Sequence, residues 1–341
     1  MTDIVMGQRN LGLAAVARLA GVSTATVSNV LNRPHVVAVP TRERVMAAIE
    51  ELDFVPNRAA ATLRQGTNRV LGLVIPDVVN PFYAAIVDAV VVAADRDRYA
   101  VVLCVSHEDP AREQRHFDML AEQRAAGALV VPISADWSRL SQLRMVGTRL
   151  IVVDRRIDES EACSVAIDDV HGGEIAVEHL LGVPGNGISI VNGSHTIVQC
   201  EDRRTGARSA LASAGLDPDS LVEFEMREMT IEAGVEAGRR IAASGAPRRV
   251  FCTNDQLAIG VMRGLAEAGV ETPRDAAVVG YGDLAFGTEE ARRLTTVGQP
   301  KQEMGEVAVA KLLAELQEGK AHRHSATTFQ PRLVVRESTG R

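Results

Sequence analysis

The sequence predicts a small all-helical head followed by an α/β body of two subdomains with parallel sheets. Three observations carry this. Within residues 1–66 apolar residues recur at helical spacing in three short runs, with Gly21 and Ser23 between the first two. From Arg69 onward, short apolar runs of strand length alternate with helical patterns, the pattern of doubly wound βα units. Eight or more such runs occur, too many for one sheet of ordinary size, so two βα-repeat subdomains are expected.

The head is organised around Ala20-Gly21-Val22-Ser23-Thr24-Ala25-Thr26-Val27-Ser28-Asn29-Val30-Leu31-Asn32. A first helix carrying Leu13, Val16, Ala17 and Ala20 can stop at Gly21, because glycine enters the left-handed region cheaply. Ser23 can cap a second helix by accepting from the backbone N–H of Ala25 or Thr26. Val27, Val30 and Leu31 then face the first helix. Thr24, Ala25, Ser28 and Asn29 stay outside, at the end where a helix-turn-helix presents side chains to DNA bases. Candidate DNA contacts here are Ser23, Thr24, Ala25, Thr26, Ser28, Asn29 and Asn32. A bare helix–glycine–helix is degenerate, and an ordinary surface hairpin fits it equally well.

A third amphipathic helix is expected over Thr41–Leu52, with Val45, Ala48, Ile49 and Leu52 on one face. Pro56 then breaks the chain, Asn57 can cap, and the alanines up to Leu63 favour a helix too short to stand alone. It reads as a linker or as a hinge helix that folds on DNA, with Asn57, Arg58, Ala60 and Leu63 as candidate contacts.

Charge is divided unevenly. The whole chain carries −7, but residues 1–66 hold seven Arg against five Asp plus Glu, a net of +2, which leaves −9 on the rest. A mildly basic front on an acidic body suits a small DNA-reading head. Cys104, Cys163, Cys200 and Cys252 are far apart with no C-x-x-C pair, so buried free thiols are expected rather than a metal site or disulfide. The start lacks a leader pattern, and no apolar run approaches the ~20 residues of a membrane span, so a cytoplasmic protein without cofactor is expected.

In the body, strands are expected at 70–75, 100–105, 128–131, 150–153, 188–191, 221–224, 250–252 and 276–279. Helices are expected at 81–97, 110–125, 170–182, 202–214, 230–243, 254–269 and 301–318. The acidic run Asp158-Glu159-Ser160-Glu161 reads as a crossover between subdomains. Ligands in open α/β sheets sit outside the strands' carboxyl ends. That selects the loops Pro76–Phe82, Ser106–Pro110, Asp154, Gly193–Arg203, Asn254–Asp255 and Tyr281–Asp283.

These residues resemble the lactose-repressor (LacI/GalR) family of transcription regulators from about Leu11 to Ser338. The matching motifs are Val16-Ala17, Ala20-Gly21-Val22-Ser23, Thr26-Val27-Ser28, Val30-Leu31-Asn32 and Thr41-Arg42-Glu43-Arg44-Val45, with Pro56-Asn57 leading to Leu63. In the body they are Leu73-Val74-Ile75-Pro76, Asn80-Pro81-Phe82-Tyr83, Val153-Asp154-Arg155, Asn254-Asp255-Gln256-Leu257-Ala258-Ile259-Gly260, Val279-Gly280-Tyr281, Leu294-Thr295-Thr296-Val297 and Gln299-Pro300. The resemblance implies a DNA-binding head over 1–56, a hinge over 57–68 and a periplasmic-binding-protein-like body over 69–341 with crossovers near 167, 298 and 327. It implies a homodimer on a pseudo-palindromic operator, no catalysis, and a small-molecule effector between the subdomains, a sugar or sugar derivative being one candidate. It makes Thr24, Ala25 and Asn29 specificity positions and Leu63 a minor-groove wedge. It brings Asp77, Phe82, Asp154, Arg203, Asn254, Asp283 and Gln299 to the effector, with Arg203 as its clamp.

The sequence departs from the family pattern in three places. Asn29 stands where many relatives have Arg, so the base read there differs. Gly280-Tyr281 is followed by Gly282 before Asp283, an altered acceptor position that argues against a simple sugar. Ala38 replaces the usual capping serine of the third helix. No leucine-heptad extension follows Leu333-Val334-Val335, so a dimer rather than a tetramer is expected. His107 and His116 with Asp109 and Glu113 read as a solvated patch, Trp137 as packing, and Gly182–Gly187 lacks the G-K-[ST] of a phosphate loop. A transport-type or cytoplasmic binding protein would explain the body but not a head that reads DNA.

Overall fold

The chain divides into two units, one ending at Thr67 and the other beginning at Asn68. The computed structural model describes residues 12–54, 68–133, 147–284, 290 and 293–340. In the head, α1 (Leu13–Ala20), α2 (Thr24–Asn32) and α3 (Val39–Glu51) follow the three periodic runs. Gly21 stops α1 at φ 65°, and its N–H donates to the carbonyls of Ala17 and Arg18. α1 and α2 are bent by 101°, within the range of a helix-turn-helix. Val16, Ala17, Ala20, Val27, Val30, Val45 and Ala48 form the shared core, closed by Phe54. α3 begins at Val39 rather than Thr41 because Pro40 falls in its first turn, where a missing N–H removes no helical bond.

Ala38 occupies the α3 cap position without a side-chain hydrogen bond, at ψ 140°. That backbone already suits a capping hydroxyl, so Ala38→Ser is expected to add about 1 kcal/mol to the head. In a unit this small the gain corresponds to a melting shift of about 4–8 °C, readable by scanning calorimetry. An unchanged head transition would show that this cap contributes nothing.

The body begins with β1 (Val70–Ile75), α4 (Pro81–Arg96), β2 (Ala100–Val105), α5 (Pro110–Glu122), β3 (Gly127–Val130), β4 (Arg149–Val153) and β5 (Cys163–Ile167). It continues with α6 (Asp169–Leu181), β6 (Ser189–Asn192), α7 (Val198–Ser213), β7 (Val222–Glu225), α8 (Ile231–Ser244), β8 (Arg249–Cys252), α9 (Asp255–Glu267), β9 (Ala277–Gly282) and β10 (Thr295–Gly298). It closes with α10 (Lys301–Glu318), β11 (Ala326–Phe329) and β12 (Arg332–Val334). The first sheet has the order β11-β5-β4-β3-β1-β2 and the second β12-β10-β9-β8-β6-β7. Pairing is parallel except between β10 and β12. Leu71, Leu73, Ile75, Leu129, Ile151 and Val153 are buried on one face of the first sheet, against Ile86 and Val90 of α4 and Met304 and Leu312 of α10. No single helix among the described residues is long and apolar enough to cross a membrane. All four cysteines are buried and free.

The acidic run is not a crossover. Glu161 N–H donates to the Asp158 carbonyl in a turn that joins β4 to β5 within one sheet. The chain changes sheet instead at Asp168, again between β10 and α10, and a third time between β11 and β12. Strands β5, β10 and β11 have no counterpart among the expected apolar runs: all three are short, β10 and β11 hold two threonines each, and β5 opens on Cys163-Ser164. Their hydroxyls are satisfied locally: Thr295 donates to the Arg336 carbonyl and Thr296 to Asp255. Polar side chains in buried strands hide the apolar signal.

Candidate functional site

The head exposes a polar helix face. Ser23 accepts from Thr26 N–H at 3.1 Å and its hydroxyl meets the Thr26 hydroxyl at 2.9 Å. Both are therefore engaged in holding the helix start. Thr24, Ala25 and Asn29 are exposed and Ser28 is half-buried. The Asn32 side chain and Asn57, Arg58, Ala60 and Leu63 lie outside the described residues, as does Trp137.

In the body a cavity of about 90 Å³ lies where the two sheets' carboxyl ends approach. Its walls include Phe82, Tyr83, Asp154, Gln199, Arg203, Asn254, Tyr281 and Gln299, so five of the seven expected effector residues converge there. Asn80 caps α4 by accepting from Phe82 N–H at 3.0 Å, which sets the aromatic pair at the helix start. Phe82 and Tyr83 meet edge to face, centroids 5.2 Å apart.

Arg203 is the best-anchored group. It is buried on the inner face of α7, donates from Nε to Asp169 Oδ1 at 2.8 Å and from Nη1 to the Thr253 carbonyl at 2.7 Å, and lies 3.7 Å over the Tyr281 ring. Burial alone would lower its pKa, but Asp169, Tyr281 and Cys200 override that and raise it. α6 and α7 meet closely because a Cβ at Gly173 would collide with the Arg203 carbonyl, and one at Gly206 with that of Val170. These glycines let Asp169 on α6 reach Arg203.

Asp154 follows β4 at φ 65°, a left-handed position uncommon for a residue with a side chain. Its Oδ2 accepts from Gln199 Nε2 at 2.8 Å, while Oδ1 is buried without a partner. Burial, reinforced by Asp169, pushes its pKa up to about 7. Asn254 is engaged at both ends of its amide: Oδ1 caps α9 by accepting from Leu257 N–H, and Nδ2 donates to the Met229 carbonyl. Gln299 lies on the second crossover, 9% exposed.

Asp77 and Asp283 are not among the cavity's lining residues. Asp77 accepts from Val79 and Asn80 N–H groups, ordering the loop before α4. Asp283 pairs with Arg336 at 2.6 Å, so direct effector contact does not follow for either. Tyr83, Gln199, Cys200, Met229 and Tyr281 also line the cavity, beyond the seven expected effector residues. Gln199 and Cys200 fall inside the Gly193–Arg203 loop chosen by the strand-end rule, whereas nothing in the sequence marks Asp169 as the Arg203 partner. His116 hydrogen-bonds the Val105 carbonyl at 3.2 Å, a packing role.

Asp255 accepts from Thr296 and Leu284, yet burial, with Asp283 adding to it, pushes it up to about 6. Both folded pKa values lie above the ordinary ~4 of aspartate. The associated stability is complete below about pH 4 and is lost as pH rises through 6 for Asp255 and 7 for Asp154. The body's melting temperature is thus expected to fall between about pH 4 and 7, and Asp154→Asn to flatten the upper part. A variant profile parallel to wild type would remove Asp154 as the titrating group.

Known proteins match both units. Residues 13–57 match the family described as bacterial regulatory proteins, lacI family, and 179–339 a periplasmic binding protein-like domain. The HTH-type transcriptional repressor PurR of Vibrio campbellii is 32% identical over 324 residues, 95% of this chain and 97% of the relative. The chain belongs to the LacI family. The PurR of Aliivibrio fischeri is 30% identical over 95% of this chain and 96% of its own length. Among solved structures, the lac repressor dimer bound to operator and the anti-inducer ONPF superposes with TM-score 0.83 at 26% identity, covering 95% of this chain and 97% of that one. The transcriptional regulator CelR in complex with cellobiose gives TM-score 0.71 at 30% identity, covering 96% and 99%. In LacI-family terms the described residues supply a helix-turn-helix head and an effector-type body of two subdomains.

Proposed function

We propose that this chain is a transcriptional repressor that binds a pseudo-palindromic operator as a homodimer and releases or grips it according to a small molecule held at the 90 Å³ cavity. The observation that carries the reading is the union in one chain of an exposed polar recognition helix and a cleft with convergent buried groups. The head spans 1–56, the hinge 57–68 and the body 69–341. Thr24, Ala25 and Asn29 read bases. Phe82, Asp154, Arg203 and Gln299 meet the effector, and Asn254 fixes the cleft wall.

The body also offers a self-association surface. β2 is the edge strand of its sheet, and Val102 and Leu103 on it, with Val91 and Val92 on α4, are 38–43% exposed. Open apolar edges invite pairing, and the lac repressor relative is itself a dimer bound to operator. Selection from a random duplex library, followed by gel retardation, tests the reading. An enriched inverted repeat that the protein retards is expected. Failure to enrich any sequence, or enrichment of a single half-site, would refute operator binding by a dimer.

A further inference from the structure

The cleft holds a contact that works against its own ligand. Gln199, on α7 in the second subdomain, donates from Nε2 to Asp154 Oδ2 at 2.8 Å and to the Asp154 carbonyl at 3.2 Å. Asp154 directly follows β4 of the first subdomain, so this amide bridges the two. Both residues line the 90 Å³ cavity and also a second chamber of about 380 Å³ on the crossover side. Small-molecule pockets run to about 300–1,000 Å³. The inner cavity is below that range and the crossover chamber within it, and the Gln199–Asp154 contact lies between them.

Residues that line the crossover-side chamber carry polar atoms without partners. Asp154 Oδ1 and Arg155 Nε are buried without partners, and Asp154 is only 6% exposed. Asp202 also lines the chamber and makes no ion pair or hydrogen bond among the described residues. A buried acceptor left unsatisfied costs about 1–3 kcal/mol. A carboxylate with one oxygen bound and the other empty is complementary to a ligand edge bearing two adjacent donors.

We infer that Gln199 is a plug within the effector cleft: its carboxamide holds the position that an effector's own pair of adjacent donors must take at Asp154, and evicting it joins the two chambers into one pocket. This rests on the cleft being the effector site. The ligand class is a molecule with paired adjacent donors, either the N–H pair of an amidine-type edge or the O–H pair of a vicinal diol, extending toward Arg155, Arg156, Asp168 and Asp202. Single-donor ligands leave Asp154 Oδ1 unmet and gain nothing over the resident amide.

The test is thermal melting of the full chain at about pH 8, where Asp154 is mostly ionised, titrated with acetamidinium and separately with cis-1,2-cyclopentanediol. In Gln199→Ala, one of these probes is expected to raise the melting temperature saturably, at a midpoint at least tenfold below that in wild type. Acetamidinium alone would assign nitrogen donors, the diol alone hydroxyl donors. The response is expected to vanish in Gln199→Ala/Asp154→Asn. Gln199→Asn, one methylene shorter, serves as a second variant and should fall between wild type and Gln199→Ala. Equal midpoints in wild type and both variants, no response to either probe in Gln199→Ala, or a response that survives Asp154→Asn would overturn the plug. Operator retardation run on the same preparations separates the two readings: its loss in wild type defeats the regulator, while intact retardation with unaltered probe responses defeats only the plug.

Discussion

Arg203→Ala is expected to destabilise the body by about 3–5 kcal/mol and to abolish any effector response. The side chain is a strut as well as a candidate clamp. Removing it strands the Asp169 carboxylate, 5% exposed, with no counter-charge, and empties the face of Tyr281. The sign of the rescue follows from the same pair. Asp169→Asn in the Arg203→Ala background removes the stranded charge and should recover part of the loss, whereas two independent sites would add. Denaturant unfolding of the two single variants and the double variant measures this. Strict additivity would mean that Arg203 and Asp169 do not act as a pair. Effector response should stay absent in the double variant, which separates clamp from strut.

Leu63→Ala is expected to weaken operator binding about tenfold to a hundredfold while leaving non-specific binding nearly unchanged. Leu63 lies outside the described residues, and this expectation comes from its place in the motif that begins at Pro56-Asn57. A leucine wedge buried between base steps contributes about 1.5–3 kcal/mol of apolar transfer, most of which an alanine forfeits, and about 1.4 kcal/mol is tenfold in affinity. Non-specific binding rests on Arg–phosphate contacts, which Leu63 does not make. The segment 57–65 is shorter than the ~12 residues at which isolated helices become marginal, so coupling of its folding to the operator is the expected result. Its amides should exchange rapidly in free protein and slowly on specific DNA. Equal protection in the two states would mean a preformed hinge.

How far the sequence could be read depended on which residues carried the pattern. Val16, Val27, Val30 and Val45 are apolar at helical spacing, and they form the head core. β1 and β2 read correctly because Leu71, Leu73 and Val101 stand in uninterrupted apolar runs. β10 did not, because Thr295 and Thr296 face buried partners through hydroxyls rather than methyl groups. The charge run misplaces the first crossover for a similar reason, and only the family resemblance puts it near 167: Asp158 and Glu159 look like a break between domains, whereas the crossing at Asp168 is marked only by a single capping aspartate. In the cleft, Phe82, Asp154 and Arg203 were legible as strand-end or family positions. Asp77 and Asp283 matched the same rules, but their carboxylates are consumed by a loop turn and by Arg336. Such local partners cannot be read from spacing, and neither can the Gln199 bridge, which forms only when two subdomains meet.

The central claim is that the cleft and the operator are energetically coupled. It is tested by fluorescence anisotropy on the selected operator, with and without a compound that stabilises the body in a thermal screen of sugars, nucleosides and organic acids. Coupling between sites in two-state proteins is about 1–3 kcal/mol, or about 5–150-fold in affinity, and it is reciprocal. A change of at least about fivefold in operator Kd is therefore predicted, matched by the same factor in the compound's Kd when operator is present. An operator Kd that stays the same at saturating compound would contradict the account.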